Sequence, residues 1–308
     1  MTHLTDRFLE KLRDGSVRLS VGGLQGLSDL DRSSIEAFQR AWPSIDVERR
    51  RKIMQTLVEL AEENVELNFN AIFKACFNDK DAKVRETAVG GLWEDTEPKT
   101  ADLLIHVLET DPDSTVRAEA ASSLAHFAYM YEVGELDKDT GSRVKTSLLA
   151  VIKNGNEDLD VRRRAVEAVS YISDEVVTSL LIWAYNSTDV KMRVSAVRGM
   201  GRNCDPRWLP NIFQEIKSQD PELRYEAAQA CGEIEDKRCV PKLVPLLTDE
   251  DLEVRLAAVT ALGHIGGRSA RKALVSILEN GEDEAMQEAA REALDEVDFY
   301  GDPLGFNV

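Results

Sequence analysis

A short pattern of polar and apolar positions, Asp-x-x-(apolar)-Arg-x-x-Ala, recurs along the chain at nearly constant spacing. Clear copies begin at Asp81, Asp113, Asp158, Asp189, Asp220 and Asp251, and weaker copies begin at Asp14, Asp46 and Asp283. Counted between the Arg positions (Gln287 in the last copy), the intervals are 32, 35, 32, 45, 31, 31, 31 and 32 residues. Such self-similarity indicates one structural unit that is repeated along the chain.

The spacing within the pattern predicts the start of a helix. The Asp is placed as an N-cap, because its carboxylate can accept hydrogen bonds from the free N–H groups of the first turn and suits the positive end of the helix dipole. The apolar residue and the Ala are four residues apart, so they share one face of the helix. We therefore expect nine aspartates to fix nine helix starts, each cap contributing about 1 kcal/mol.

A second helix is predicted in each repeat by a further group of apolar residues at helical spacing. Examples are residues 100–109, 209–217 and 240–247, and clusters of helix-breaking residues at 201–206 and 263–267 separate one helix from the next. No convincing run alternates with period two, so no strands are predicted.

Two short helices cannot bury both of their apolar faces unless neighbouring pairs stack against them. The sequence therefore predicts an all-α solenoid of about eight helix-hairpin repeats plus a terminal capping helix. We expect a single solenoid domain over residues 1–298, with repeats beginning near residues 14, 46, 81, 113, 158, 189, 220, 251 and 283. Residues 299–308 are predicted to form an extended tail, which either caps the last repeat or is offered to a partner as a linear motif.

The Arg of the pattern lies one turn into the helix, from where it is expected to reach the Asp or the loop carbonyls of the adjacent repeat. Because the pair is present in every repeat, we interpret it as a structural ladder and not as catalytic machinery. The expected ladder comprises Asp81, Arg85, Asp113, Arg117, Asp158, Arg162, Asp189, Arg193, Asp220, Arg224, Asp251 and Arg255.

These repeats resemble HEAT repeats, and especially the short bacterial form similar to the phycobilisome-lyase type. The resemblance is carried by residues 251–263, Asp-Leu-Glu-Val-Arg-Leu-Ala-Ala-Val-Thr-Ala-Leu-Gly, and by residues 113–124, and it covers about residues 14–297. It implies a right-handed superhelix, in which the first helices lie on the convex side and the second helices line a concave groove. It says little about function, because one fold serves many functions.

Departures from the regular repeat are candidate binding sites. The 45-residue interval places extra residues around 128–142, which predict either a partner-contacting loop that carries Tyr129 and Tyr131 or a longer helix end with a solvated turn. Large aromatic side chains also interrupt the pattern of small residues. The candidates for partner contact are Trp93, Tyr129, Tyr131, Trp183, Tyr185 and Trp208, for which packing between repeats is the alternative role.

Composition narrows the classes of partner. The chain has 56 Asp and Glu against 38 Lys and Arg, a formal net charge of −18, which disfavours nucleic acids and anionic membranes as partners. Four isolated cysteines and the lack of an apolar leader or of a long apolar run predict an acidic, cytoplasmic protein whose thiols are reduced.

No familiar catalytic or cofactor motif occurs. None of the four histidines has a Cys, Asp or Glu neighbour at metal-ligand spacing, and there is no His-Glu dipeptide, which counts against the iron-dependent hydroxylase branch of HEAT-like proteins. We therefore expect no catalytic residues, no metal and no cofactor.

The favoured hypothesis is a non-enzymatic scaffold or adaptor that binds a segment of another protein in the concave groove. The alternative, which rests on the resemblance alone, is a lyase or chaperone-like protein that handles a tetrapyrrole chromophore. The partner and the oligomeric state stay open.

Overall fold

The computed structural model describes residues 6–280 and 283–301, and these residues form helices joined by short turns. The helices are α1 (Asp6–Arg13), α2 (Val21–Gln25), α3 (Arg32–Ala41), α4 (Val47–Glu63), α5 (Asn70–Ala75), α6 (Ala82–Gly90), α7 (Pro98–Thr110), α8 (Ser114–Glu132), α9 (Lys138–Lys153), α10 (Leu159–Val169), α11 (Glu175–Tyr185), α12 (Val190–Arg202), α13 (Leu209–Glu215), α14 (Pro221–Ile234), α15 (Val240–Leu243), α16 (Leu252–Ile265), α17 (Gly267–Asn280) and α18 (Glu284–Gly301). Short 3-10 helices span Trp42–Ser44, Pro206–Trp208, Lys237–Cys239 and Val244–Thr248. The predicted all-helical solenoid is confirmed.

Two kinds of helix alternate in this solenoid. Those that follow the repeated Asp are called the motif helices: α4, α6, α8, α10, α12, α14, α16 and α18. Those between them, α5, α7, α9, α11, α13, α15 and α17, are the second helices. The chain divides into two compact units, residues 1–168 (unit 1) and 169–308 (unit 2), and each unit is described by itself.

Aspartate caps explain where the motif helices begin. The carboxylates of Asp46, Asp81, Asp113, Asp158, Asp189, Asp220, Asp251 and Asp283 accept hydrogen bonds from backbone N–H groups of the following turn. Two of the second helices use the same device, which the sequence analysis missed: Asp137 caps α9 and Asp174 caps α11. Most helix starts are therefore fixed locally.

The predicted helix start at Asp14 is wrong. Its carboxylate accepts from the backbone N and Oγ of Ser16, at 2.9 and 2.6 Å, and the chain remains in a turn. The next helix, α2, begins at Val21 after Ser20, whose side chain caps it. The reason is that a short Asp–Ser interaction offers the backbone an alternative to the helix.

Other predicted boundaries also move. The predicted helix at 240–247 divides into α15 and the 3-10 helix Val244–Thr248, because Pro245 has no N–H to continue the α-helical pattern. The expected break at 263–267 is narrower, since α16 continues to Ile265. The α18 helix reaches Gly301, three residues into the predicted tail, and the rest of that tail lies outside the described residues.

The predicted apolar stripe forms the core. Val84 and Ala88 of α6, Val116 and Ala120 of α8, and the equivalent pairs in α10, α12, α14, α16 and α18 are all buried. Among the cysteines, Cys76, Cys231 and Cys239 are buried as expected, whereas Cys204 is exposed. No helix within the described part of the chain is long and apolar enough to cross a membrane.

Small residues allow the motif helices of unit 2 to approach closely. A Cβ atom on Gly201 would lie 2.7 Å from Ala230 Cα, and one on Gly232 would lie 3.0 Å from Ala261 Cα. At the next interface, a Cβ on Gly263 would lie 3.2 Å from Ala293 Cα. A side chain on Gly201 would therefore overlap the neighbouring backbone, and one on Gly232 or Gly263 would be tightly packed against it.

The backbones of the second helices of unit 2 do not approach one another in this way. In the described residues, successive second helices touch through side chains, as Tyr185 of α11 does with Glu215 of α13. A stack that is tight on one side and open on the other curves toward the tight side. Unit 2 therefore has its motif helices on the concave side, which reverses the arrangement that the resemblance implied. The second helices lie on its convex side.

Candidate protein-interaction surfaces

The arginines of the repeat tie each motif helix to the segment that leads into the next motif helix, mainly through carboxylates other than the expected ones. Arg85 donates from Nε and Nη2 to the two carboxylate oxygens of Asp111, at 2.7 and 2.8 Å. Arg224 makes the same bidentate contact with Asp249, with both distances 2.8 Å. Both acceptors lie two residues before a capping aspartate, Asp113 or Asp251. The capping aspartates mostly hold helix ends, and a second set of acidic residues receives the arginines.

The other arginines follow variations on this scheme. Arg117 donates to Glu157 and Arg193 to Glu215, while Arg162 donates to the carbonyl of Ile152. Arg255 reaches the capping aspartate of the next repeat, with 3.3 Å between Nη2 and Asp283 Oδ2. Loop carbonyls are used as expected: Arg85 Nη1 donates to Asp79 O, and the same six-residue step is repeated at Arg117, Arg224 and Arg255.

Ion pairing shifts the acid–base equilibria of these groups toward their charged forms. The hydrogen bond with Asp111 raises the pKa of Arg85, and the bond with Asp249 raises the pKa of Arg224. Asp81 both caps α6 and accepts from Arg51, and the Arg51 hydrogen bond lowers its pKa. The side chains of these charged pairs are engaged in joining repeats, which supports our interpretation of the ladder as architecture.

Three of the aromatic candidates are held by contacts within the protein. Trp208 is buried, and its Nε1 donates to Asn203 Oδ1 at 2.9 Å. The hydroxyl of Tyr185 donates to Glu215 Oε1 at 2.7 Å, and loss of water around the half-buried ring raises its pKa to about 12. Tyr131 is half-buried and packs over Gly141, where a Cβ would overlap its ring. All three side chains thus pack within the chain, and their contact with a partner stays a prediction.

The extra residues of the long repeat lengthen two helices. The α8 helix has 19 residues and α9 has 16, which leaves a connecting turn of residues 133–137. Tyr129 and Tyr131 consequently lie on α8 and not in a loop, so the longer helix end is confirmed. Contact of this segment with a partner stays a prediction. Tyr129 is nevertheless about half exposed, as is Trp93 in the turn after α6.

A surface of exposed apolar side chains lies on α11 in unit 2. Val176, Ile182 and Trp183 are 48, 48 and 47% exposed, although the opposite side of the same helix buries Val177 and Leu181 completely. We call these three exposed residues the α11 face. An ordinary surface helix is apolar on one side only, so α11 has a second apolar side that its own core does not use.

The motif helices of unit 2 present a different, charged surface. Arg198 Nε on α12 donates to both carboxylate oxygens of Glu226 on α14, at 3.1 and 3.0 Å. Farther along, the Glu233 carboxylate lies over Gly201 and is partly shielded from water by its neighbours, which raises its pKa to about 7 against an ordinary value of 4.5. His264 Nε2 and Glu296 Oε1 are 3.7 Å apart between α16 and α18. No group of three or more His, Cys, Asp or Glu residues in the described part of the chain is arranged to hold a metal ion.

Comparison with known proteins identifies the family of these repeats. A family model described as HEAT repeats matches residues 69–138 and 209–295, together just over half of the chain. No curated protein sequence matches the chain.

Solved structures match at low identity. A chain of the Kap95p–RanGDP structure is 15% identical, with a TM-score of 0.51, over 97% of this chain and 46% of its own length. YibA of Escherichia coli is 17% identical, with a TM-score of 0.50, over 92% of this chain and 99% of that one. A chain of the CpcE–CpcF phycocyanin lyase complex from Nostoc is 18% identical over 74% of this chain and 94% of its own, but its TM-score of 0.49 is too low to support an argument about function. These similarities concern the fold alone.

Proposed function

The chain belongs to the HEAT-repeat family, and from that premise we propose that it is a protein-interaction scaffold whose unit 2 binds a partner on the α11 face. Each repeat of such a solenoid adds surface without needing an enclosed cavity. The proposal follows from what the helices leave exposed.

The observation that carries this proposal is the double apolar character of α11. Three large apolar side chains, Val176, Ile182 and Trp183, keep about half of their surface in contact with water on one helix. Grouped apolar surface of this kind is typical of protein-binding sites, and Trp is among the residues that most often dominate binding energy. A partner that covers the α11 face would remove this surface from water.

The concave side of unit 2, where a groove was expected to receive the partner, is a weaker candidate for the same function. It offers charged side chains such as Arg198 and Glu226, which already satisfy each other. In unit 1 the exposed side chains of Trp93 and Tyr129 are further candidate contacts. We place the main anchor on α11 because its three apolar residues are grouped.

The test is affinity purification from cell extract with the wild-type chain and with the triple variant Val176→Ser/Ile182→Ser/Trp183→Ala. The proteins that the wild type retains should be lost from the triple variant, with helicity by circular dichroism unchanged. Val65→Ser is the matched control, because Val65 is 75% exposed and lies outside the α11 face in unit 1. Retention of the same proteins by the triple variant would contradict the proposal.

A further inference from the structure

The second helices of the last full repeat form a basic surface on an acidic protein. Residues 237–248 and 267–278 contain six Lys or Arg and no Asp or Glu, although the whole chain has a net charge of −18. These two segments correspond to the 3-10 helix Lys237–Cys239, α15 and Val244–Thr248 on one side and to most of α17 on the other. The charge of this region is therefore opposite to that of the chain as a whole.

A groove of about 630 Å³ lies between the two segments. We call it the α15–α17 groove. Its apolar lining is provided by Pro241, Val244 and Pro245, all exposed, and Val244 is 42% exposed. Proline has no N–H to offer, so this lining favours apolar side chains over polar ones.

The rim of the α15–α17 groove is positively charged. Lys237 and Arg268 line it, and within the described residues neither forms an ion pair. Their neighbours differ in this respect, because Arg238 pairs with Asp236 at 2.7 Å and Arg271 with Asp298 at 3.0 Å. The first turn of α17, which begins at Gly267, adds the positive end of a helix dipole on the same side. Two cations without counter-charges beside exposed apolar surface are complementary to an acidic and apolar ligand.

We propose that the α15–α17 groove binds a segment of a partner protein in which acidic side chains alternate with apolar ones. The apolar side chains would lie against Val244 and the prolines, while the carboxylates would lie near Lys237 and Arg268. A nucleic acid fits less well, because its sugar–phosphate backbone has no apolar side chains to pack against the groove lining. The net negative charge of the protein also repels it at long range. This surface is separate from the α11 face, so the inference goes beyond the proposed function.

The test uses two fluorescein-labelled nonapeptides, one that alternates Asp with Leu and one that has Lys in place of each Asp. Their binding to the full chain is measured by fluorescence anisotropy at low and moderate salt. The acidic peptide should bind and the basic one should not, and added salt should weaken binding because the rim charges are exposed. Lys237→Glu/Arg268→Glu should weaken binding of the acidic peptide by at least about tenfold, because rim charges of the wrong sign repel it.

The matched control is Lys52→Glu/Lys217→Glu, which changes the net charge equally at exposed lysines away from the groove. It should leave the affinity within about twofold. Circular dichroism establishes that both double variants remain folded. If the first one does not, Val244→Ser provides a second test of the same groove and should also weaken binding. The triple variant of the α11 face should bind the peptide normally, so the two proposals can fail independently.

Four outcomes would overturn the inference. These are equal binding of the basic peptide, no effect of the substitutions in a folded variant, and tighter binding of a labelled single-stranded oligonucleotide than of the acidic peptide. The fourth is a gain of tenfold or more when the chain is ended at Gly301, because the groove would then be covered by residues 302–308 of the chain itself.

Discussion

The motif helices and the second helices form two rows in unit 2, and these rows pack in different ways. The motif helices cross at glycine and alanine, so that Gly201, Gly232 and Gly263 each meet the backbone of the next motif helix. The backbones of the second helices α11, α13, α15 and α17 approach those of their successors less closely in the described residues. The first arrangement holds the stack together, and the second leaves apolar surface uncovered.

Within unit 2, the motif row therefore contributes mainly to stability, and the second row carries the surfaces that we propose for binding. Charges on the motif row are largely matched, as between Arg198 and Glu226. On the second row, Ile182 and Val244 are exposed, and Lys237 has no ionic partner within the described residues. Substitutions on the two rows should therefore have different consequences, and four experiments test this in order of decreasing effect.

Arg224→Met should destabilise the chain most, by about 3 kcal/mol, because it leaves the carboxylate of Asp249 buried without its partner. Both side chains are only 9% exposed, and they are joined by two hydrogen bonds. Chemical denaturation followed by circular dichroism measures the loss. Arg238→Met removes an ion pair whose arginine is well exposed, and it should change stability little. Equal effects of the two substitutions would show that the ladder does not stabilise the stack.

Gly201→Ala should cost about 2 kcal/mol, because the new methyl group would overlap Ala230 of the next motif helix. The direction of the stability change is informative, because replacing Gly by Ala inside an exposed helix normally stabilises the helix by up to about 1 kcal/mol. Gly22→Ala is the control, because Gly22 is also helical and exposed and has space around it. A stabilising effect of Gly201→Ala would refute the close approach of α12 and α14.

Glu233→Gln should have a smaller effect that depends on pH. Loss of water around the carboxylate raises the pKa of Glu233 to about 7 in the folded chain, so its contribution to stability is complete below about pH 4.5 and is lost as the pH rises through 7. The variant should thus gain stability over the wild type between pH 5 and pH 8, by less than about 1 kcal/mol, because the residue as a whole is exposed. Thermal melts at several pH values measure it. A stability difference between Glu233→Gln and the wild type that does not vary with pH would contradict the raised pKa of Glu233.

Ile182→Ala should change stability least, within about 0.5 kcal/mol, because Ile182 is 48% exposed on the second row. The adjacent Leu181→Ala is the matched control, since Leu181 is completely buried and its truncation should cost about 2–5 kcal/mol. Denaturation curves measure the loss of stability in both variants. Similar losses for Ile182→Ala and Leu181→Ala would contradict the exposure of the α11 face.

Much of the fold follows from local chemistry and was predictable. The Asp caps and the apolar stripe depend on residues three or four positions apart, so eight of the nine predicted starts are correct. Asp14 was wrongly predicted because Ser16 competes for its carboxylate. Of the two alternatives left open for residues 128–142, the longer helix end is correct, because the sequence around Tyr129 continues an ordinary helical pattern.

The contact residues could not be predicted in the same way. Trp183 lies in an apolar run and Trp208 follows Asp-Pro-Arg, yet Trp208 is buried and Trp183 is half exposed. Which of them meets water depends on how neighbouring repeats stack. The basic region around Lys237 was hidden within the net charge of the whole chain, because its two segments are about thirty residues apart in sequence.

The sequence by itself determined that this chain is a stack of helix pairs, because capping and helical periodicity act between near neighbours. Only the tertiary structure decided which carboxylate or carbonyl accepts from each arginine, which row of helices in unit 2 packs tightly, and which apolar side chains stay exposed. These properties arise from distances between residues of different repeats, and the pattern within one repeat does not contain them.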